Sequence, residues 1–78
     1  MPELILYYRP TCPFCLKVLY FTKQNKISLA LKNISDERLR QELITTGGKG
    51  QVPCLLIDGK PKYESEDIIQ FLGEHYKK

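Results

Sequence analysis

Cys12 and Cys15 stand three positions apart in the stretch Cys12-Pro13-Phe14-Cys15. Two thiols at that spacing can close a disulfide across a single helical turn. Upstream, Leu4 to Tyr8 reads as a short buried strand, and downstream Leu16 to Thr22 reads as the apolar face of a helix. Cys12 therefore falls where a strand ends and a helix begins. The free N–H groups and positive dipole end of that helix favour an anion. A thiolate is such an anion, so Cys12 is expected to have a lowered pKa and to be nucleophilic near neutral pH. Pro13 fits the first turn, where its missing N–H costs nothing. Cys15, one turn further in, is expected to be less exposed and less acidic. The bland use of such a pair is half of a zinc site or two structural cysteines. Zinc needs about four ligands, and the rest of the chain offers only Cys54 and His75, with no second close pair. Dithiol redox chemistry without a metal is the reading that follows.

The elements that must hold this pair follow from hydrophobic periodicity and turn signals. The first strand is Leu4–Tyr8. The first helix runs from about Pro13 to Asn25, with Phe14, Val18 and Phe21, and Cys15, Leu19 and Thr22, at helical spacing. A second strand is expected over Ile27–Lys32, where Ile27, Leu29 and Leu31 alternate with Ser28, Ala30 and Lys32. Ser35 is the expected N-cap of a second helix whose buried side carries Leu39, Leu43 and Ile44, and Gly47, Gly48 and Gly50 end it. A third strand covers Cys54–Ile57. Asp58-Gly59 predicts a two-residue hairpin turn into a fourth strand, Lys60–Tyr63, which Pro61 confines to an edge. Ser65 is the expected cap of a third helix bearing the stripe Ile68, Ile69, Leu72 and Tyr76. Lys77 and Lys78 suit its C-terminal end. The order is β-α-β-α-β-β-α, with a parallel opening unit and an antiparallel hairpin.

With 78 residues, the expectation is one domain with a small core, since a chain this short buries only about 60% of its unfolded surface. Charged residues make up 27% and hydrophobic ones 42%, a globular profile. The net charge of +3 is mild and suits small anionic ligands. No dense Lys/Arg stripe with interleaved aromatics supports nucleic-acid binding. No apolar run approaches the ~20 residues of a membrane span, and Met1-Pro2-Glu3 has no basic leader character. A cytoplasmic protein is expected, where three cysteines point to catalysis and not to a disulfide framework.

Three segments carry a resemblance to the glutaredoxins of the thioredoxin-like superfamily: Tyr8-Arg9-Pro10-Thr11-Cys12-Pro13-Phe14-Cys15, Gly48-Lys49-Gly50-Gln51-Val52-Pro53 and Tyr63-Glu64-Ser65-Glu66-Asp67. The resemblance covers nearly the whole chain. It implies a four-stranded mixed sheet flanked by three helices, and it makes Pro53 the family's cis-proline beside Cys12. The chain departs from that pattern at Phe14, where Tyr is usual, at Gln51, where Thr is usual, and at Tyr63-Glu64, where a Gly-Gly pair is common. The run Val52-Pro53-Cys54-Leu55-Leu56-Ile57-Asp58-Gly59, with Glu64-Ser65 and Ile68, is also similar to the N-terminal domain of glutathione transferases.

Both families imply glutathione as the ligand and reductant. Glutathione carries two carboxylates, one ammonium and a thiol, and the chain offers a partner for each. The helix start at Ser65 to Asp67 can hold the γ-glutamyl carboxylate. Glu64 or Glu66 can pair with the ammonium. The resemblance places Arg9 and Lys49 at the glycine carboxylate, and either could instead be an ordinary solvated charge. The Val52 backbone can pair with the cysteinyl unit as a short added strand, next to Pro53. Cys54 is read as a small half-buried strand residue or as a regulatory thiol near Cys12. Tyr7 and Tyr8 are read as core or pocket-wall residues, and His75 has no catalytic role. The implied activity is a glutathione-dependent thiol–disulfide oxidoreductase with catalytic Cys12 and Cys15. It would act as a monomer on glutathionylated or disulfide-bonded proteins. The rivals are a glutathione-ligated iron–sulfur cluster carrier, against which Pro13 weighs, and a transferase-like glutathione-binding module.

Overall fold

The computed structural model describes residues 3–76. Along them run β1 (Leu4–Tyr8), α1 (Pro13–Gln24), β2 (Ala30–Asn33), α2 (Glu37–Gly47), β3 (Cys54–Ile57), β4 (Lys60–Lys62) and α3 (Ser65–His75). The order is the expected one. The strands form a single sheet in the spatial order β2-β1-β3-β4. β1 and β2 pair in parallel across the α1 crossover, while β3 pairs antiparallel with β1 and β4 with β3. Asp58 and Gly59 both take positive φ, at 54° and 88°, the geometry of the predicted two-residue hairpin turn.

Strand side chains alternate between the two faces, and this divides the core. Leu4 and Leu6 of β1 and Leu55 of β3 pack with Val18 of α1 and with Ile68 and Leu72 of α3. Tyr7 of β1 and Cys54 and Leu56 of β3 face the other way, onto Ile34 and onto Leu43 of α2. The sheet is thus covered on both faces, with α1 and α3 together on one and α2 alone on the other. Burying such side chains stabilises the fold by about 1.5–3 kcal/mol each before the cost of ordering the chain.

Several boundaries differ from the sequence pattern. β2 begins at Ala30, opposite Ile5, and not at Ile27. Ile27 and Leu29 pack on the α1–α3 side of the core while the chain crosses from helix to sheet. Their alternation marks burial, not pairing. Leu31 is 53% exposed because β2 is an edge strand. The cap of α2 is Asp36, not Ser35: the Asp36 side chain accepts the Arg38 N–H. Asn33 Oδ1 accepts the Ser35 N–H, a local turn that delays the helix by one residue. α3 is entered through Glu64, without a side-chain cap bond, and Ser65 is its first helical residue. β4 stops at Lys62, which leaves Tyr63 in the connection to α3. On α1, Phe14 and Leu16 are exposed, at 61% and 50%, so the buried stripe is narrower than the apolar pattern. The pairing of Lys77 and Lys78 with the α3 terminus lies outside the described residues. No helix among those described is long and apolar enough to cross a membrane.

Candidate functional site

Leaving β1, the chain turns so that the Cys12 N–H donates to the Arg9 carbonyl at 3.1 Å. Cys12 is the N-cap of α1, with extended backbone and no conventional side-chain cap bond. Its carbonyl accepts the first helical bond, from Leu16 N–H at 3.0 Å. Pro13 is the first helical residue, as its fixed φ and missing donor favour. All three cysteines are free thiols, Cys12 half-buried and Cys15 and Cys54 buried.

Two opposed influences act on Cys12. Partial desolvation pushes its pKa up. The backbone N–H and thiol of Cys15, the backbone N–H of Phe14 and the Arg9 charge push it down, and the net shift is downward. Cys15 goes the other way. Full burial, with the Cys12 side chain and charge beside it, outweighs the Arg9 contributions and pushes its thiol up to about 12. The pair is therefore polarised into an outer thiol that ionises more readily than an ordinary one and an inner one that holds its proton more firmly. That is the asymmetry a nucleophile and a resolving thiol require.

Beside the start of α1 lies a cleft of about 150 Å³ lined by Phe14, Gln51, Val52, Pro53, Tyr63, Glu64 and Ser65. The Val52–Pro53 peptide bond is cis, as the resemblance implied. The cleft brings together the α1 start, the approach to β3 and the first residues of α3. Because α3 has no side-chain cap, its first N–H groups point out of the helix without an internal partner, and an anion entering there meets them.

The residues singled out from the sequence separate into groups. Val52, Pro53, Glu64 and Ser65 line the cleft, while Cys12 sits two residues ahead of its Phe14 wall. Glu66 does not line it: its carboxylate accepts from Lys17 of α1, across the α1–α3 seam. Of the two acids, Glu64 is the one at the cleft. Arg9 is exposed and outside the lining, acting on the thiols through its charge. Lys49 is also exposed and outside the lining, with its ammonium 4.8 Å from the Tyr63 ring centroid. Cys54 is fully buried, on the sheet face opposite α1, and desolvation raises its pKa, outweighing the Lys62 backbone N–H and the nearby Tyr63 hydroxyl, which act the other way. A thiol so placed fits the packing reading. Tyr7 is a core residue whose hydroxyl donates to Glu42 at 2.5 Å. His75 rests against Phe71 with ring centroids 4.6 Å apart. No group of three or more His, Cys, Asp or Glu side chains among the described residues is arranged to hold a metal ion.

Phe14, Gln51 and Tyr63 line the cleft without having been proposed as ligand contacts. Each is a position where the chain departs from the glutaredoxin pattern, and that was the available signal.

Comparison with known proteins agrees with this fold. The family model for the glutathione S-transferase N-terminal domain matches residues 6–78. A glutaredoxin-like 8.6 kDa protein of the rubredoxin operon of Clostridium pasteurianum is 33% identical over 55 residues, 69% of this chain and 73% of that protein. Among solved structures, a delta-class glutathione transferase of Nilaparvata lugens superposes with a TM-score of 0.79 at 32% identity. The match covers 97% of this chain and 37% of that one, so the chain spans little more than a third of the transferase. A thioredoxin-like protein in mutant form superposes with a TM-score of 0.79 at 25% identity, over 95% of this chain and 94% of its own.

Proposed function

The chain belongs to the glutathione S-transferase N-terminal-domain family and has a thioredoxin-like fold, and from that premise we propose that it is a glutathione-dependent thiol–disulfide oxidoreductase. The observation that carries this reading is the polarised pair, with Cys12 ionisable at the α1 start and Cys15 held protonated one turn inside. A module that only binds glutathione has no use for a second, buried thiol at that spacing.

In the proposed reaction, the Cys12 thiolate attacks a sulfur of a protein–glutathione mixed disulfide. The S–S bond breaks, the protein thiolate leaves with its electron pair, and Cys12 carries the glutathionyl group. A second glutathione thiolate attacks that sulfur, releasing glutathione disulfide and restoring the Cys12 thiolate. On a protein disulfide, Cys15 loses its proton and displaces the bound protein sulfur, closing the Cys12–Cys15 disulfide. Two glutathiones then reduce it in sequence. Arg9 favours the anionic sulfur at each stage. The uncapped α3 start receives the γ-glutamyl carboxylate, Glu64 its ammonium, and the Val52 backbone the cysteinyl unit. We place the activity in one domain acting as a monomer in a reducing cytosol.

The test is reduction of a small glutathionylated disulfide, coupled to NADPH oxidation through glutathione reductase, with wild type beside Cys12→Ser. The expected result is turnover that disappears in the mutant. A folded, reduced wild type without turnover would overturn the oxidoreductase reading and leave glutathione binding alone. That second reading draws on the family match and on Glu64-Ser65 at the cleft.

A further inference from the structure

Tyr63 stands between three parts of the site. Its hydroxyl donates to the Gly47 carbonyl at 2.6 Å. The Lys49 carbonyl lies 3.3 Å from the same oxygen. A hydroxyl has one proton, so the shorter contact is the bond and the longer one a weaker second attraction. The hydroxyl occupies the space a Cβ on Gly47 would need, which accounts for glycine at the end of α2. The Lys49 ammonium rests over the ring, within cation–π range. The ring itself walls the cleft beside Glu64 and Ser65. One side chain thus clasps the loop 47–50 by its carbonyls and holds that loop's cation against its own ring.

We propose that Tyr63 is a positioning residue for ligand recognition: it fixes Lys49 at one end of the cleft so that Glu64 and Lys49 together select an extended peptide bearing an ammonium at one end and a carboxylate at the other. This rests on the glutathione reading above and deepens it. A free lysine side chain samples many rotamers and loses that freedom when it engages an anion. A lysine already resting on a ring has less to lose. Glu64 and Tyr63 both line the cleft, and the Lys49 ammonium lies 4.8 Å from the Tyr63 ring centroid, so an acid and a cation meet the same wall. A zwitterionic peptide offers a partner to both charges, and a compact anion such as phosphate offers one to Lys49 alone.

Binding of S-methylglutathione, which cannot undergo thiol exchange, tests the proposal by calorimetry on wild type, Y63F, Lys49→Met and the double variant. Y63F keeps the ring and removes the clasp, and is expected to weaken binding about three- to tenfold, the span of one lost hydrogen bond. In the Lys49→Met background the same change is expected to have no further effect, because coupled residues are not additive. In the coupled assay Y63F should raise KM for the glutathionylated substrate while keeping kcat. Equal affinity of wild type and Y63F would overturn the proposal and leave the glutathione reading intact. So would a Y63F loss that persists in full without Lys49. Should Y63F fail to fold by circular dichroism, wild-type affinity in Lys49→Met overturns it equally. A wild type that does not bind S-methylglutathione overturns the glutathione reading and this proposal with it.

Discussion

At the residue scale, the same thiol chemistry is driven to opposite outcomes one helical turn apart. Cys12 is near solvent and near N–H donors, so its anion is stabilised more than desolvation penalises it. Cys15 is at 0% exposure, and there desolvation dominates. The division of labour makes a prediction. Cys15→Ser should retain deglutathionylation, because glutathione can attack the Cys12 mixed disulfide directly. Reduction of a protein disulfide should fall about a hundredfold or more, the advantage of a tethered thiol over one from solution. Parallel assays on a glutathionylated peptide and on a disulfide-bonded protein check it, and loss of both activities would refute the role split. The asymmetry of the two thiols was legible in sequence because spacing and helix polarity alone predict an outer, more acidic thiol and an inner, buried one. The separate fates of Glu64 and Glu66 were not. Both acids lie at the start of α3, and only the packing of α1 against α3 places Lys17 where it takes one and leaves the other at the cleft.

At the scale of elements, the three helices begin in different ways. α2 starts with an ordinary cap, Asp36 accepting from Arg38 at 2.9 Å. α1 and α3, whose starts flank the cleft, carry no side-chain cap bond. Asp36→Ala is expected to cost about 1 kcal/mol and to lower Tm by about 4–8 °C, read by thermal denaturation. Glu64→Ala should lower Tm much less, since no cap bond is lost. Strand and helix types were legible throughout from periodicity, and the hairpin from Asp58-Gly59. The starts were not, because neighbouring residues compete for one cap. Ser35 and Asp36 are both good caps, and Asn33 decides between them through a turn bond invisible to a helix pattern. Ile27 and Leu29 misled for a related reason: alternation reports which side chains are buried and is silent about which backbone finds a partner.

Across the whole molecule, burial couples the titratable groups to stability. Cys15, Cys54, Tyr7 and Tyr63 all have folded-state pKa values raised above their ordinary ones, burial being the leading cause for each. A raised value means the fold prefers the neutral form. The stability these groups contribute is fully present below the ordinary thiol value of 9.0, and is lost as pH rises through the folded values. Cys12 has the opposite sign: its contribution is present above the ordinary thiol value and lost as pH falls through its lowered one. Glu42, lowered by bonds from Lys32 and Tyr7, behaves like Cys12 but in the carboxylate range. Under reducing conditions, Tm should therefore not fall between neutral pH and about 9, where Cys12 adds stability as it ionises, and should decline beyond that as the buried thiols and phenols dominate. Cys15→Ser should make that decline shallower. Melting curves from neutral to strongly alkaline pH check both, and a Tm unchanged through that range would refute the link. The element order behind this core was legible because the apolar runs Leu4–Tyr8 and Cys54–Ile57, the helical spacings between them and the Asp58-Gly59 turn each mark an element. Its division into two sides followed only once β1 was known to lie between β2 and β3.

The two edges of the sheet are unlike. β4 closes one with Lys60-Pro61-Lys62, a proline between two charges, the composition that discourages an added strand. β2 closes the other with an open ladder and an exposed Leu31. Aggregation through the sheet consequently has a built-in terminator. If two copies meet edge to edge, they meet through β2, and the joined pair then presents only its two β4 edges outward. Growth stops at two, and the filament that a sheet with two open edges could seed has no third strand to recruit.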